Sequence, residues 1–395
     1  MNILIADKLS DKAVKALEAL GATLRIDSDL NADTLPEAIG NAEILIVRST
    51  KVTANTLRAG KSLSLVIRAG AGVNTIDLDT ASTLGIHVAN CPGKNSDAVA
   101  ELAIGLMICL DRNIVANTLD LRSGVWNKKL YGKARGLKDR TIGILGLGSI
   151  GKRVAAIAKT MGMEVVAWSR SLTAESAKVM GIGFCSTPLE LAERSDVVSV
   201  HLAATKETEH LVNADFLSAM KQGSYLINTA RGEAVDTQAL MEAMKSKGIK
   251  AGLDVYEDEP GANDSAFPHL DLATRITGTH HIGASTDQAS DAIADEVVHI
   301  VQAYMNTGKP LHVVNARDKS TAPYNLVVRH YNKVGVLAGV LDELRAGKIN
   351  IEEMENSIFS GGKAAVCTLK LDNEPSEDLL ERIASMEHII GVQLK

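Results

Sequence analysis

Three residues in this sequence have the types and the order needed to move a hydride and a proton at one carbon: Arg231, Glu259 and His281. Oxidising a hydroxyl-bearing carbon requires a base for the hydroxyl proton, a cation for a neighbouring carboxylate, and a cofactor against that carbon. Arg231 lies in Asn228-Thr229-Ala230-Arg231-Gly232, at the end of an apolar run, and its guanidinium offers a two-pronged fork to a carboxylate. Glu259 follows the run Gly252-Leu253-Asp254-Val255 and precedes Pro260; His281 comes after Arg275 to Thr279. A glutamate hydrogen-bonded to a histidine fixes the ring and raises its pKa, making the imidazole an acid for reduction and a base for oxidation. His281 is the expected acid/base, with its neighbour His280 as the rival, whereas His201 and His210 read as structural or surface groups. Each residue alone is commonplace. Their appearance together at successive strand ends is what points to a site.

The cofactor is indicated by Gly146-Leu147-Gly148-Ser149-Ile150-Gly151, placed between the apolar strand Thr141 to Leu145 and a helical pattern from Ile150 to Met161. In such a loop the first glycine makes the tight turn, the second lets amides approach a pyrophosphate at the helix N-terminus, and the third packs helix on strand. About twenty residues on, a carboxylate ordinarily receives the ribose 2′-hydroxyl. Here the strand Val165 to Trp168 ends in Ser169-Arg170 instead. A serine beside a guanidinium admits a 2′-phosphate, and a solvated arginine beside an NAD site is the other reading, so NAD and NADP both stand.

Two further cations, Arg48 in Val47-Arg48-Ser49 and Arg68 before Ala69-Gly70, suit a phosphate or simply solvation; Lys51, Lys128 and Lys129 are weaker candidates. Cys91, Cys109, Cys185 and Cys367 are widely spaced and form no CxxC pair, which predicts free buried thiols rather than disulfides or a metal site, and a cytoplasmic protein. A net charge of −6 gives no footprint for nucleic acid, and no apolar run is long enough to span a membrane. The N-terminal stretch reads as an opening strand rather than a signal peptide.

These residues need strand ends to stand on, and the sequence supplies them. Short β-branched runs at Ile3 to Ala6, Ile44 to Val47 and Leu65 to Arg68 alternate with helical patterns, and a clearer series runs from Thr141 to Gly278. The expected fold is α/β, with two doubly wound Rossmann-like domains. Glu101 to Leu121 and Asp287 to Asn306 read as long helices connecting them. The expected division is a substrate domain over 1–95 with a returning segment 290–318, a nucleotide domain over 96–289, and ligand in the crevice between. Asp318 to Pro323 reads as a linker, and 322–395 follows the order of a ferredoxin-like βαββαβ domain.

Across 1–315 the sequence resembles the D-isomer-specific 2-hydroxyacid dehydrogenases, through Arg68 to Asn74, Gly146 to Gly151, Asn228 to Gly232, Gly252 to Pro260 and His281 to Thr286. The resemblance implies that Arg231, Glu259 and His281 are catalytic, and that Ser149, Ile150 and Ala230 belong to motifs around the cofactor. It implies further that Asp254 contacts the nicotinamide carboxamide and that amides around Ala69 and Gly70 hold the substrate carboxylate. His280 stands where the family has proline, and Ser169 where it has aspartate. Val47-Arg48-Ser49 with Lys51-Val52-Thr53 is similar to the phosphoglycerate dehydrogenase branch, where the arginine binds substrate phosphate. The implied reaction is oxidation of 3-phospho-D-glycerate at the entry to serine synthesis. Glyoxylate or hydroxypyruvate reduction, and a redox-sensing Rossmann binding protein, are the alternatives. The C-terminal residues 326–395 resemble an ACT domain; there His330, Asn332 and Asn350 match residues that bind L-serine between paired domains, implying a homo-oligomer, dimer or tetramer.

Overall fold

A computed structural model describes residues 1–260, 266–317 and 320–395, and divides into two compact units, Met1–Asn315 and Ala316–Lys395. Positions 318 and 319 of the expected linker, and so the end of the segment 290–318, lie outside the described residues.

The first unit holds two parallel sheets. Strands β1 (Asn2–Ile5), β2 (Thr23–Ile26), β3 (Ile44–Val47), β4 (Leu65–Arg68) and β5 (His87–Asn90) pair in the order β2-β1-β3-β4-β5. The second sheet comprises β6 (Thr141–Leu145), β7 (Glu164–Trp168), β8 (Gly183–Phe184), β9 (Val197–Val200), β10 (Tyr225–Asn228), β11 (Lys250–Leu253) and β12 (Thr277–Gly278), ordered β12-β11-β10-β9-β6-β7-β8. That is the doubly wound nucleotide-binding order, with its reversal between β6 and β9, where such sheets open a crevice for ligand. The central strands are apolar throughout because helices cover both faces: β9 and β10 are fully buried along their length. Strands β2, β5 and β8 are not singled out by the sequence pattern; β2 is a largely exposed edge strand and β8 has two residues, too little for a periodic signal.

Each connecting helix docks on a different sheet. Ser96–Arg112 packs Ala103, Met107 and Leu110 against Ile142, Ile144 and Ile227 of the second sheet. Asp287–Thr307, capped by the Thr286 hydroxyl and closed by left-handed Gly308, packs Ile293, Val297 and Ile300 against Ile3, Ile5 and Ile46 of the first. The long helix expected over Glu101 to Leu121 is instead two, because Asn113 takes a left-handed conformation (φ 50°) and a second helix, Ile114–Arg122, starts from it. No helix among the described residues is long and apolar enough to cross a membrane.

In the second unit, strands β13 (Tyr324–Tyr331), β14 (Ile351–Ile358), β15 (Ala364–Leu371) and β16 (Ile389–Leu394) form an antiparallel sheet ordered β14-β15-β13-β16. Strand β15 alternates intermediate and buried residues with period two, and its buried face packs with Val340, Leu344, Leu379 and Ile383 of the helices Val336–Ala346 and Glu377–Ser385.

Candidate active site

The glycine loop is shaped by close approaches. Gly146 (φ 99°) lies against the backbone of His201 at the end of β9, where a Cβ would stand 2.5 Å from the carbonyl oxygen. A Cβ at Gly151 would collide with the Gly146 carbonyl, whereas one at Gly148 would meet open space. The helix Ser149–Thr160 starts at Gly148 with no side-chain cap, leaving its first amides directed at that space. A pyrophosphate fits there: donors converge and no side chain competes. Ser169 and Arg170 follow β7 at the neighbouring strand end, Ser169 partly buried and Arg170 exposed. Glu207 lies within reach of the Arg170 charge; a hydrogen bond from Thr205 and, more weakly, this guanidinium hold its carboxyl below its ordinary range.

At the carboxyl ends of β10, β11 and β12 the three chemistry-bearing side chains are set by buried polar anchors. Asn228, at the end of β10, accepts from the Ala230 amide at 3.0 Å and donates to the Arg231 carbonyl at 2.8 Å, locking the turn. Arg231 Nη1 donates to the Ala230 carbonyl at 2.6 Å, and Nη2 reaches Gly72, where a Cβ would collide with it. Glu259 accepts from the Tyr256 amide at 3.1 Å and its other oxygen lies 2.7 Å from His281 Nδ1. Of the two adjacent histidines it is His281 that pairs, its ring half exposed and its backbone left-handed (φ 52°). The pairing engages Nδ1 and not Nε2, the other ring nitrogen. Asp254, 1% exposed, supports this conformation: one oxygen accepts from the Thr279 hydroxyl (2.6 Å) and the Ile282 amide (2.8 Å), the other from the Gly283 amide (2.9 Å). Here Asp254 holds the histidine turn from beneath.

Across the crevice, the first sheet contributes Arg48 and Arg68. The Arg68 side chain folds over Gly70, whose positive φ of 154° and missing Cβ make room for it. Its Nε is buried without a partner among the described residues. Burial first, then the charges of Arg231 and Arg48, push its pKa down, so three guanidiniums converge on one region. Beneath them burial pushes the Cys91 thiol up to about 11, leaving it an inert packing group. Asp7 positions Arg48: a single carboxylate oxygen accepts from the amides of Arg48 (2.6 Å), Ser49 (3.1 Å) and Thr50 (3.0 Å). Sequence reading missed Asp7, although a carboxylate at the end of the first strand was its signal.

The backbone at Ala69 and Gly70 does not offer the free amides expected to hold a substrate carboxylate. The amides of Ala69 and Gly70 are already used, donating to the carbonyls of Val47 and Arg68 at 2.7 Å each, because the chain continues the strand pairing and then turns sharply. The glycine-rich segment instead presents Ala71 to Asn74, which line the crevice together with Ala203, Ala204 and Arg231. Asn90 fixes that segment by donating to the Ala71 carbonyl at 2.6 Å. Lys51, Lys128 and Lys129 are exposed.

A doubly wound domain with a bare helix N-terminus, joined to a His–carboxylate pair and an arginine at adjacent strand ends, defines a nicotinamide-dependent oxidoreductase. The model of the D-isomer specific 2-hydroxyacid dehydrogenase NAD binding domain matches residues 104–283. A D-3-phosphoglycerate dehydrogenase of Methanocaldococcus jannaschii is 33% identical over 91% of this chain and 68% of its own length. A hydroxypyruvate reductase of Thermotoga maritima is 38% identical over 73% of this chain and 93% of its own. Among solved structures, NAD+-bound 3-phosphoglycerate dehydrogenase of Entamoeba histolytica superposes with a TM-score of 0.67 at 29% identity, covering 80% of this chain and 99% of that one. The chain belongs to the D-isomer specific 2-hydroxyacid dehydrogenase family, and acts as a nicotinamide-dependent dehydrogenase on a small hydroxy acid.

Proposed function

We propose that the enzyme oxidises 3-phospho-D-glycerate to 3-phosphohydroxypyruvate, the reaction that opens serine synthesis. The observation that carries this reading is the convergence of Arg48, Arg68 and Arg231, with the buried Arg68 Nε lacking a partner among the described residues. One carboxylate does not need three guanidiniums; a carboxylate and a phosphate do. In this reading the first sheet with its returning segment is the substrate domain and 96–289 the nucleotide domain. Arg231 holds the carboxylate, Arg48 and Arg68 take the phosphate, and His281 Nε2 accepts the hydroxyl proton while Glu259 steadies the ring. The nicotinamide, when bound, accepts the hydride from the same carbon. The test is an absorbance assay of 3-phosphohydroxypyruvate, hydroxypyruvate and glyoxylate with each reduced cofactor. Preference for the phosphorylated acid by tenfold or more in kcat/KM, about 1.4 kcal/mol, is expected; preference for hydroxypyruvate or glyoxylate would replace this reading by a reductase like the Thermotoga relative's name.

NAD is the expected cofactor, and NADP is accepted as well, since Ser169 places no negative charge where a 2′-phosphate would lie. The four free thiols suit a reducing, cytoplasmic setting.

The C-terminal unit is read as a ferredoxin-like ACT domain, from its βαββαβ order and strand arrangement. L-serine is its proposed effector. His330 is 2% exposed, with its ring nitrogens 2.9 Å from the Tyr331 carbonyl and 3.2 Å from Asn356 Oδ1. Asn332 and Asn350 therefore offer the accessible amides, and His330 acts by orienting the strand end. A homo-oligomer is supported by two uncovered apolar surfaces: the edge strand β14 with Met354 and Ile358 exposed and exposed Phe359 just after it, and the helix Ile114–Arg122, which has no buried residue. Sedimentation should give a dimer or tetramer, and millimolar serine should lower activity; a monomer insensitive to serine would remove both assignments.

A further inference from the structure

The loop that carries Glu259 carries a second anchored carboxylate, Glu257. Its Oε1 lies 2.5 Å from His210 Nε2, and its Oε2 accepts from the amide of Thr237, the first residue of the helix Thr237–Lys247, at 2.7 Å. The carbonyl of Glu257 lies 2.9 Å from His269 Nε2. His210, itself in a left-handed conformation (φ 49°), donates its backbone N–H to the Glu233 carbonyl at 2.8 Å, in the turn that follows Arg231. Gly232 of that turn packs so tightly on Tyr256 and Glu257 that a Cβ would strike their backbone. One residue therefore touches both the Arg231 turn, through its main chain, and the Glu259 loop, through its ring.

We propose that His210 and Glu257 are a positioning pair, fixing the Glu259 loop against the Arg231 turn so that the carboxylate meets His281. The inference rests on the reading of Glu259 and His281 as the proton-transfer pair. His210 is too exposed for the attraction to contribute much to stability, although Glu257 is mostly buried. Their value is geometric: a one-residue loop tether two positions from Glu259 decides where that carboxylate sits, and misplacement of about 1 Å costs on the order of a hundredfold in turnover. The charges facing His210 are Glu257, Asp236 and Glu209, all acidic, and hydrogen bonding to Glu257 leads the causes that raise its pKa. The charged pair is thus complete from the ordinary histidine value down to the carboxylate range, and weakens as pH rises through the raised histidine value.

The test uses the full chain, with the keto acid that the wild type reduces fastest, and rates are expressed per cofactor-binding site so that unfolded protein does not count. His210→Ala and Glu257→Gln should lower kcat by roughly tenfold to a hundredfold, with substrate KM and cofactor Kd within about twofold of wild type. His210→Gln, which keeps a hydrogen-bond donor, should recover part of the loss. Wild-type kcat in both His210→Ala and Glu257→Gln overturns the proposal, whatever their thermal midpoints. His281→Asn is assayed in parallel: if it retains turnover, the proton-transfer assignment itself has failed, and the two failures are told apart.

Discussion

Arg231 reaches from the nucleotide sheet across the crevice to Gly72, its Nη2 occupying the position a Cβ at residue 72 would need. The guanidinium proposed to hold the substrate carboxylate is thereby set against the backbone of the opposite lobe, and the glycine is required by the arginine rather than by its own dihedrals. Gly72→Ala should displace the guanidinium and raise substrate KM by about tenfold or more without altering cofactor Kd, as steady-state kinetics and fluorescence titration would report. Unchanged KM would mean the arginine relocates without consequence.

Removing the proposed proton acceptor should give the largest effect. His281→Asn should lower kcat by about 10²–10⁴-fold while calorimetric cofactor binding stays intact. Glu259→Gln should lose less, since the ring keeps its hydrogen bond but not the carboxylate's charge.

Substrate choice is separable from catalysis. Arg48→Gln, in the loop held by Asp7, should lower kcat/KM for 3-phosphohydroxypyruvate by on the order of 1.5–3 kcal/mol, the worth of a charge-assisted hydrogen bond, and leave hydroxypyruvate nearly unaffected. Equal losses for both acids would argue against a phosphate contact.

Cofactor choice should respond to a single carboxylate. Ser169→Asp is expected to depress kcat/KM for NADPH by tenfold or more, at least 1.4 kcal/mol, with NADH retained. Should NADPH efficiency survive the substitution, the 2′-phosphate does not lie at this strand end.

Acid stability follows from His201, which burial alone pushes down to about 3 from its ordinary 6.5. The folded chain keeps this ring neutral, next to the Ser199 hydroxyl at 2.8 Å, while the unfolded chain protonates it. The contribution to stability is therefore full above 6.5 and is lost progressively as pH falls from there toward 3. Between pH 6.5 and pH 5 the loss from this group is about 2 kcal/mol. Urea midpoints should fall over that interval and should fall less in His201→Gln; identical slopes in the two proteins would contradict the assignment.

The nucleotide half was legible because its determinants are local. A strand, the loop Gly146 to Gly151 and a helix are consecutive, and each glycine's role follows from geometry within a few residues. The ends of β9, β10 and β11 were equally plain, since buried parallel strands are uninterrupted apolar runs. Order along the chain also ranked Arg231, Glu259 and His281 as a set. Their assembly was not in the pattern: only folding brings Glu259 to His281 rather than to His280, because Asp254 pins the turn in which His281 is left-handed.

The first sheet's contribution was the least legible. Which amides of the Arg68 to Asn74 segment are free depends on β3, β4 and Asn90, residues brought alongside by strand pairing, so sequence reading chose Ala69 and Gly70 where folding presents Ala71 to Asn74. Asp7, Asn228 and the His210–Glu257 pair escaped for the same reason. Their roles are hydrogen bonds to backbone and loops distant in the chain. The sequence by itself determined the chemistry on offer and the sheet type that carries it; the tertiary structure decided which donors remain unpaired when every other polar group is satisfied.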